Sequence, residues 1–301
     1  MKAFIIILYC SILTACAADV TAPVTSFSSA AVTVSENAQK AYMMVNESAL
    51  EQRFSGLAAD PLKKIDTQLF KPVLDTAQEN FAVRMQLLQG LNAYAAALLE
   101  LSTSNHSKEI EKSAKNLYGS FVSINNSYGK ATGRPVTGRD SSSAAIMSAA
   151  INTAGSLLVE RKKRRAIKKI VIAANDGIQK ACKLIAGDIN NTGLNSFVKA
   201  NLESVMSDYV SVYNRRKREM SFQERNIFIR EVHTKYRAAT GVDYLFDTIS
   251  LSVTKMAEGH QALKEAVLKN QYNTPGLVNK IGEMTVYGNA MEEFYQSLLE
   301  K

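Results

Sequence analysis

Residues 110–128 read IEKSAKNLYGSFVSINNSY, with Ile110, Ala114, Leu117, Phe121, Ile124 and Tyr128 spaced alternately by four and three. That alternation marks a helix burying one seam, because side chains three and four apart share a face, whereas a strand repeats every two. No glycine–proline turn interrupts it until Gly129, Gly133, Pro135 and Gly138.

The same spacing recurs on both sides. Upstream, Leu74, Ala77, Phe81, Met85, Leu88, Leu91, Ala95, Leu98 and Leu101 form a stripe that Lys71-Pro72 opens and the polar run 102–107 closes. Before it, residues 35–55 read as a first helix with Ser35 as N-cap and Gly56 as stop, and Asp60-Pro61 opens a short helix. Downstream, one long helix is expected over 144–189, striped by Ile167, Ile170, Ala174, Ile178, Ala181 and Ile185. The turn at 190–193 sends back a helix carrying Val198, Leu202, Val205, Tyr209 and Val212. Ser221-Phe222-Gln223-Glu224 fits a capping box, and Gly241 separates that helix from a stripe at Leu245, Ile249, Val253, Met256, His260, Leu263 and Val267. Thr274-Pro275-Gly276 opens the last helix, whose seam includes Leu277, Ile281, Met284, Gly288, Met291, Phe294 and Leu298. The expected fold is all-α: an elongated antiparallel helical bundle with long helices.

Composition agrees. Apolar residues make up 46% and charged residues 21% of the 301-residue chain, with 5 prolines and no tryptophan. Such a chain folds around a core and favours helix over a sheet cut by many turns. Its formal charge of +8 favours anionic partners: lipid headgroups, acidic glycans, nucleic acid or an acidic protein, of which nucleic acid fits an exported chain least.

The amino terminus carries an address. Lys2 precedes an apolar run over residues 4–13, too short to cross a bilayer, that ends in Leu13-Thr14-Ala15-Cys16. This ending resembles the lipobox of bacterial lipoproteins, and the resemblance covers residues 1–16 only. It implies cleavage before Cys16, acylation of that cysteine with palmitate-type chains, and anchorage in a membrane. The alternative is an ordinary signal peptide cut nearby, with Cys16 incidental. Ala17 rather than aspartate follows the cysteine, which resembles cargo sent to the outer membrane, facing the periplasm. The expected divisions are a signal peptide (1–15), a tether rich in Ala, Ser, Thr and Val (16–35), and a bundle domain (36–301) with a possible hinge at 127–143. Cys10 leaves with the signal and Cys16 is acylated, so Cys182, among apolar residues at helical spacing, is expected to be a buried thiol.

The sharpest feature of the mature chain is Arg161-Lys162-Lys163-Arg164-Arg165, extended by Lys168 and Lys169. Successive residues advance about 100°, so the run covers every helix face and must be solvated or touch something acidic. A second cluster is Arg215-Arg216-Lys217-Arg218, and Lys168 and Arg216 stand equally far before and after Thr192. An antiparallel hairpin would bring the clusters level, as one basic girdle for an anionic partner. Two separate solvated charge runs are the alternative. Residues 144–159 are apolar but diluted by Asn152, Thr153, Gly155 and Ser156, and read as a tightly packed helix before membrane insertion.

Enzyme signals are weak. His106, His233 and His260 form no metal-ligand spacing, and His260 falls on a core stripe. Ser196-x-x-Lys199 and Ser252-x-x-Lys255 match Ser-x-x-Lys without the companion elements of that chemistry. No metal, cofactor or catalytic residue is expected. The leading expectation is therefore a membrane-anchored periplasmic lipoprotein, bound through Cys16, that holds a protein partner or an anionic envelope component and not nucleic acid. Alternatives are an immunity-type lipoprotein that neutralises a periplasmic toxin, or a membrane-active helical protein.

Overall fold

The computed structural model describes residues 19–70, 78–133, 159–191 and 193–299. All regular structure among them is helical: α1 (Thr21–Ala59), a 3-10 turn (Thr67–Phe70), α2 (Gln78–Thr103), α3 (Ser107–Thr132), α4 (Val159–Asn191), α5 (Leu194–Arg216), α6 (Phe222–Lys269) and α7 (Pro275–Leu299). The three-four stripes supply most of the core, although Leu202, Tyr209 and Val212 of α5 are only half-buried and Leu74 and Ala77 lie outside the described residues. Leu88, Leu98, Leu117, Ile124, Ile167, Ile178, Leu245 and Leu263 are all fully buried.

Two long rods organise the bundle. α1, 39 residues long, and α6, 48 residues long, run antiparallel. Phe27 meets His260 near one end of α1, and Glu51 pairs with Lys235 near the other. α2 returns along the first half of α1, and α3 folds back on α2. α7 doubles back on α6 and packs beside α1, where Asn37 Nδ2 donates to Gly288 O at 3.1 Å.

The chain departs from the sequence expectation in several places. Residues 21–35 are not a tether but the first turns of α1, and Val24, Phe27, Ala31 and Val34 are fully buried. Small residues conceal a stripe that continues unbroken to Ala38, Ala41 and Val45, and Pro23 is tolerated because it sits in the first turn. Consequently Ser35 is a mid-helix residue whose hydroxyl donates to Ala31 O, and Gly56 does not stop the helix.

Residues 61–66 form no helix; they are an exposed loop in which Asp60 Oδ1 accepts from Leu62 N. Gly241 does not divide α6. It lies inside the helix, and its missing Cβ leaves room for the Phe294 ring of α7. The capping box at the start of α6 forms as the sequence indicates, with Ser221 and Glu224 each accepting from the other's backbone N–H.

The largest departure is at Gly193. α5 does not fold back on α4. Both run antiparallel to α6: Asn175 bonds Gln261 and Gln179 bonds Ala257 O, then Lys199 pairs with Asp243 and Tyr209 stacks near Phe228. Gly193, at φ +68°, kinks the chain without reversing it. α4 and α5 together, of 33 and 23 residues, are long enough to cover all 48 residues of α6, which a hairpin would not do. Of the hinge expected at 127–143, residues 127–132 belong to α3, with Ser127 buried, and Gly133 caps the helix at φ +63°. Residues 134–158, including the apolar stretch 144–158, and residues 1–18 lie outside the described residues.

Candidate functional site

Because α4 and α5 are consecutive segments of one rod, the two basic clusters are far apart. Arg164 Nε lies 3.5 Å from Asp19 Oδ1, just before the first turn of α1. Arg215 Nη2 donates to Ala59 O at 2.7 Å, at the last turn of α1. The helix between those contacts spans 39 residues, roughly 60 Å at 1.5 Å per residue. The structure therefore does not bring the clusters into one girdle.

The near cluster is only partly available to a partner. Lys163 is 3% exposed, donates to Ser104 O at 2.9 Å and pairs with Glu160 at 2.8 Å. Ser104 follows the last residue of α2, so this ammonium satisfies a carbonyl at the negative end of a helix dipole. Lys163 belongs to the packing of α4 on α2. Lys168 is likewise engaged, donating to Asn270 Oδ1 at 2.5 Å and lying 5.6 Å from the Tyr272 ring centroid. Arg161, Arg165 and Lys169 are exposed, while Lys162 and Arg164 are half-buried. The near cluster thus decorates the end of the rod from which the amino-terminal segment departs.

The far cluster is open. Arg215, Arg216, Lys217 and Arg218 are all exposed, with Lys217 capping α5 and Arg216 Nε 3.8 Å from Glu219. Just behind it, α1, α5 and α6 enclose a cleft of about 420 Å³ lined by Phe54, Ser55, Asp208, Tyr209, Phe228 and Glu231 among others. Ser55 Oγ donates to Asp208 Oδ2 at 2.7 Å across this cleft.

The titratable groups at the centre of the bundle serve the core. His260 is fully buried, with Nε2 2.9 Å from Tyr94 Oη and Nδ1 3.0 Å from Asn175 Oδ1. Burial, reinforced by the Lys264 charge, pushes its pKa down to about 3, so it is a neutral core histidine. Cys182 is free and buried, and burial raises its pKa to about 12.

Neither Ser-x-x-Lys match is poised for proton abstraction. The ammonium of Lys255 is held protonated chiefly by hydrogen bonds to Glu283 and Glu258, and that of Lys199 by Asp243. Ser252 Oγ donates instead to Thr248 O at 2.6 Å. Among the described residues no three His, Cys, Asp or Glu side chains gather as a metal site, and no helix is long and apolar enough to cross a membrane.

What sequence reading missed is the company the far cluster keeps. The loop at 61–66, with Leu62, Lys63, Lys64 and Ile65 exposed, follows directly from the α1 end that Arg215 grips. The separation of loop and cluster in sequence hides their shared end of the rod. Compared with protein-family models, with curated proteins and with solved structures, the chain matches none.

Proposed function

We propose that this chain is a membrane-anchored helical lipoprotein of the bacterial envelope, held through acylated Cys16 and acting as a rigid spacer. It presents the far basic cluster to an anionic partner on the periplasmic side. The observation that carries this reading is the placement of Asp19, beside Arg164, and Ala59, beside Arg215, at opposite ends of one 39-residue helix. A lipidated Cys16 puts the near end at the membrane, so Arg161, Arg165 and Lys169 sit at headgroup level, where basic side chains are attracted to anionic lipid. The far end then stands roughly 60 Å away by helix rise.

Anchorage is tested first. Replacing Cys16→Ser is expected to abolish incorporation of labelled palmitate and to shift the chain from the membrane to a precursor or a soluble periplasmic form. Labelling and fractionation that match the wild type would contradict the lipoprotein reading.

A further inference from the structure

The far end of the rod carries two kinds of side chain that folded proteins rarely leave together in water. Leu62 is 89% exposed, Phe222 78% and Ile65 75%, the three most exposed large apolar side chains among the described residues. Single exposed apolar residues, such as Leu268 and Val286 elsewhere on the rod, are ordinary, but the three most exposed gathered at one end and interleaved with charge mark a contact surface. Lys63 and Lys64 separate Leu62 from Ile65, and Arg215, Arg216, Lys217 and Arg218 run up to Phe222 across a short connection. The hydrogen bond from Arg215 to Ala59 O ties the two loops to the same end.

The carboxylates nearby are occupied locally. Asp60 accepts from Leu62 N at 3.0 Å and Asp66 from Gln68 N at 2.9 Å, while Glu219 faces Arg216. Lys63, Lys64, Lys217 and Arg218 make no ion pair among the described residues. The six cations at 63–64 and 215–218 outnumber the carboxylates of Asp60, Asp66, Glu219 and Glu224, so the end is positively charged and apolar at once.

We infer that this end docks onto an anionic lipid bilayer, with Leu62, Ile65 and Phe222 entering the interface and the surrounding lysines and arginines meeting phosphate headgroups. A bilayer interface receives both kinds of side chain in one layer. A second copy of this chain would set the same cations against themselves. An acidic protein or polysaccharide of charge alone would leave the apolar side chains in water. For an anchored chain the docked bilayer is a second membrane, and only that point rests on the function proposed above.

The test uses the full chain carried through its amino terminus on phosphatidylcholine vesicles. These are mixed with dye-labelled acceptor vesicles of phosphatidylcholine alone or with phosphatidylglycerol, and acceptor recovery with the protein-bearing vesicles is measured. Recruitment of phosphatidylglycerol vesicles only, weakened by salt, is expected. Arg215→Gln/Arg216→Gln/Lys217→Gln/Arg218→Gln should lower it about tenfold or more, and Leu62→Ser/Ile65→Ser/Phe222→Ser should lower it comparably. All these positions are exposed, so unchanged helicity by circular dichroism verifies the fold. Recruitment that survives both variants overturns docking by this end. Loss with the glutamine variant but not the serine variant overturns a bilayer as the occupant, in favour of an anionic polymer or protein. If the wild type does not stay on its own phosphatidylcholine vesicles, anchorage has failed. Docking is then read by flotation of the unanchored chain with phosphatidylglycerol vesicles, where the same two variants must lose binding for the inference to stand.

Discussion

Between pH 7 and pH 5 the bundle is expected to lose about 2 kcal/mol of unfolding free energy through His260 alone. In the folded chain this imidazole is fully buried, accepts no proton until about pH 3, and bridges α2, α4 and α6 through Tyr94 and Asn175. In the unfolded chain it takes up a proton near its ordinary pKa of about 6.5. Across that window the unfolded state binds more protons, so stability rises with pH and falls on acidification. Carboxylates do not mask the effect. Glu258, Glu283 and Glu292 are held below the usual range by hydrogen bonds to Lys280, Lys255 and Lys40 respectively, so their contribution is lost only below about pH 4.5. Urea midpoints at pH 7 and pH 5 measure the slope. His260→Gln should be less stable at neutral pH, because the pair it bridges loses its fit, but should show little further loss at pH 5. An equal acid loss in variant and wild type would contradict this account of His260.

Replacing Arg84→Met is expected to cost about 3 kcal/mol, the cost of breaking a largely buried ion pair by removing one member. Arg84 on α2 forks onto Asp188 on α4, with only 16% and 13% of the two side chains exposed. The neighbouring Tyr42 is 1% exposed and shares this water-poor layer, so burial and then the Asp188 charge raise the pKa of its phenol. Without the guanidinium, the Asp188 carboxylate loses the fork that offsets its charge between α2 and α4. Arg84→Met/Asp188→Asn removes both charges and should recover much of the loss. A single substitution costing less than about 1 kcal/mol would place the pair in solvent.

The helices were legible because leucine and isoleucine mark their faces at three-four spacing, as in residues 110–128. The start of α1 was not, since alanine, serine, threonine and valine pack there with little hydropathy contrast. Gly193 and Gly241 look alike as breakers in sequence. One takes a left-handed backbone and redirects the chain, while the other makes space for Phe294 inside a continuous helix. Only the partner helix decides between those outcomes. For the candidate site, exposure of the second cluster was legible from unbroken charge, but burial of Lys163 was not. Its ammonium meets a carbonyl contributed from 59 positions earlier in the chain.

The two basic clusters lie at opposite ends of one rod, and a distance across it tests that most directly. Spin or dye labels placed at Lys162→Cys and Lys217→Cys, with Cys10→Ser and Cys16→Ser, avoid Cys182, which is buried and has a raised pKa. The rod predicts a separation of about 60–80 Å, the rise of α1 giving the lower figure and that of α4 and α5 end to end the upper. A separation below about 30 Å, as level clusters on a hairpin require, would contradict the fold reading at Gly193 and the spacer function with it.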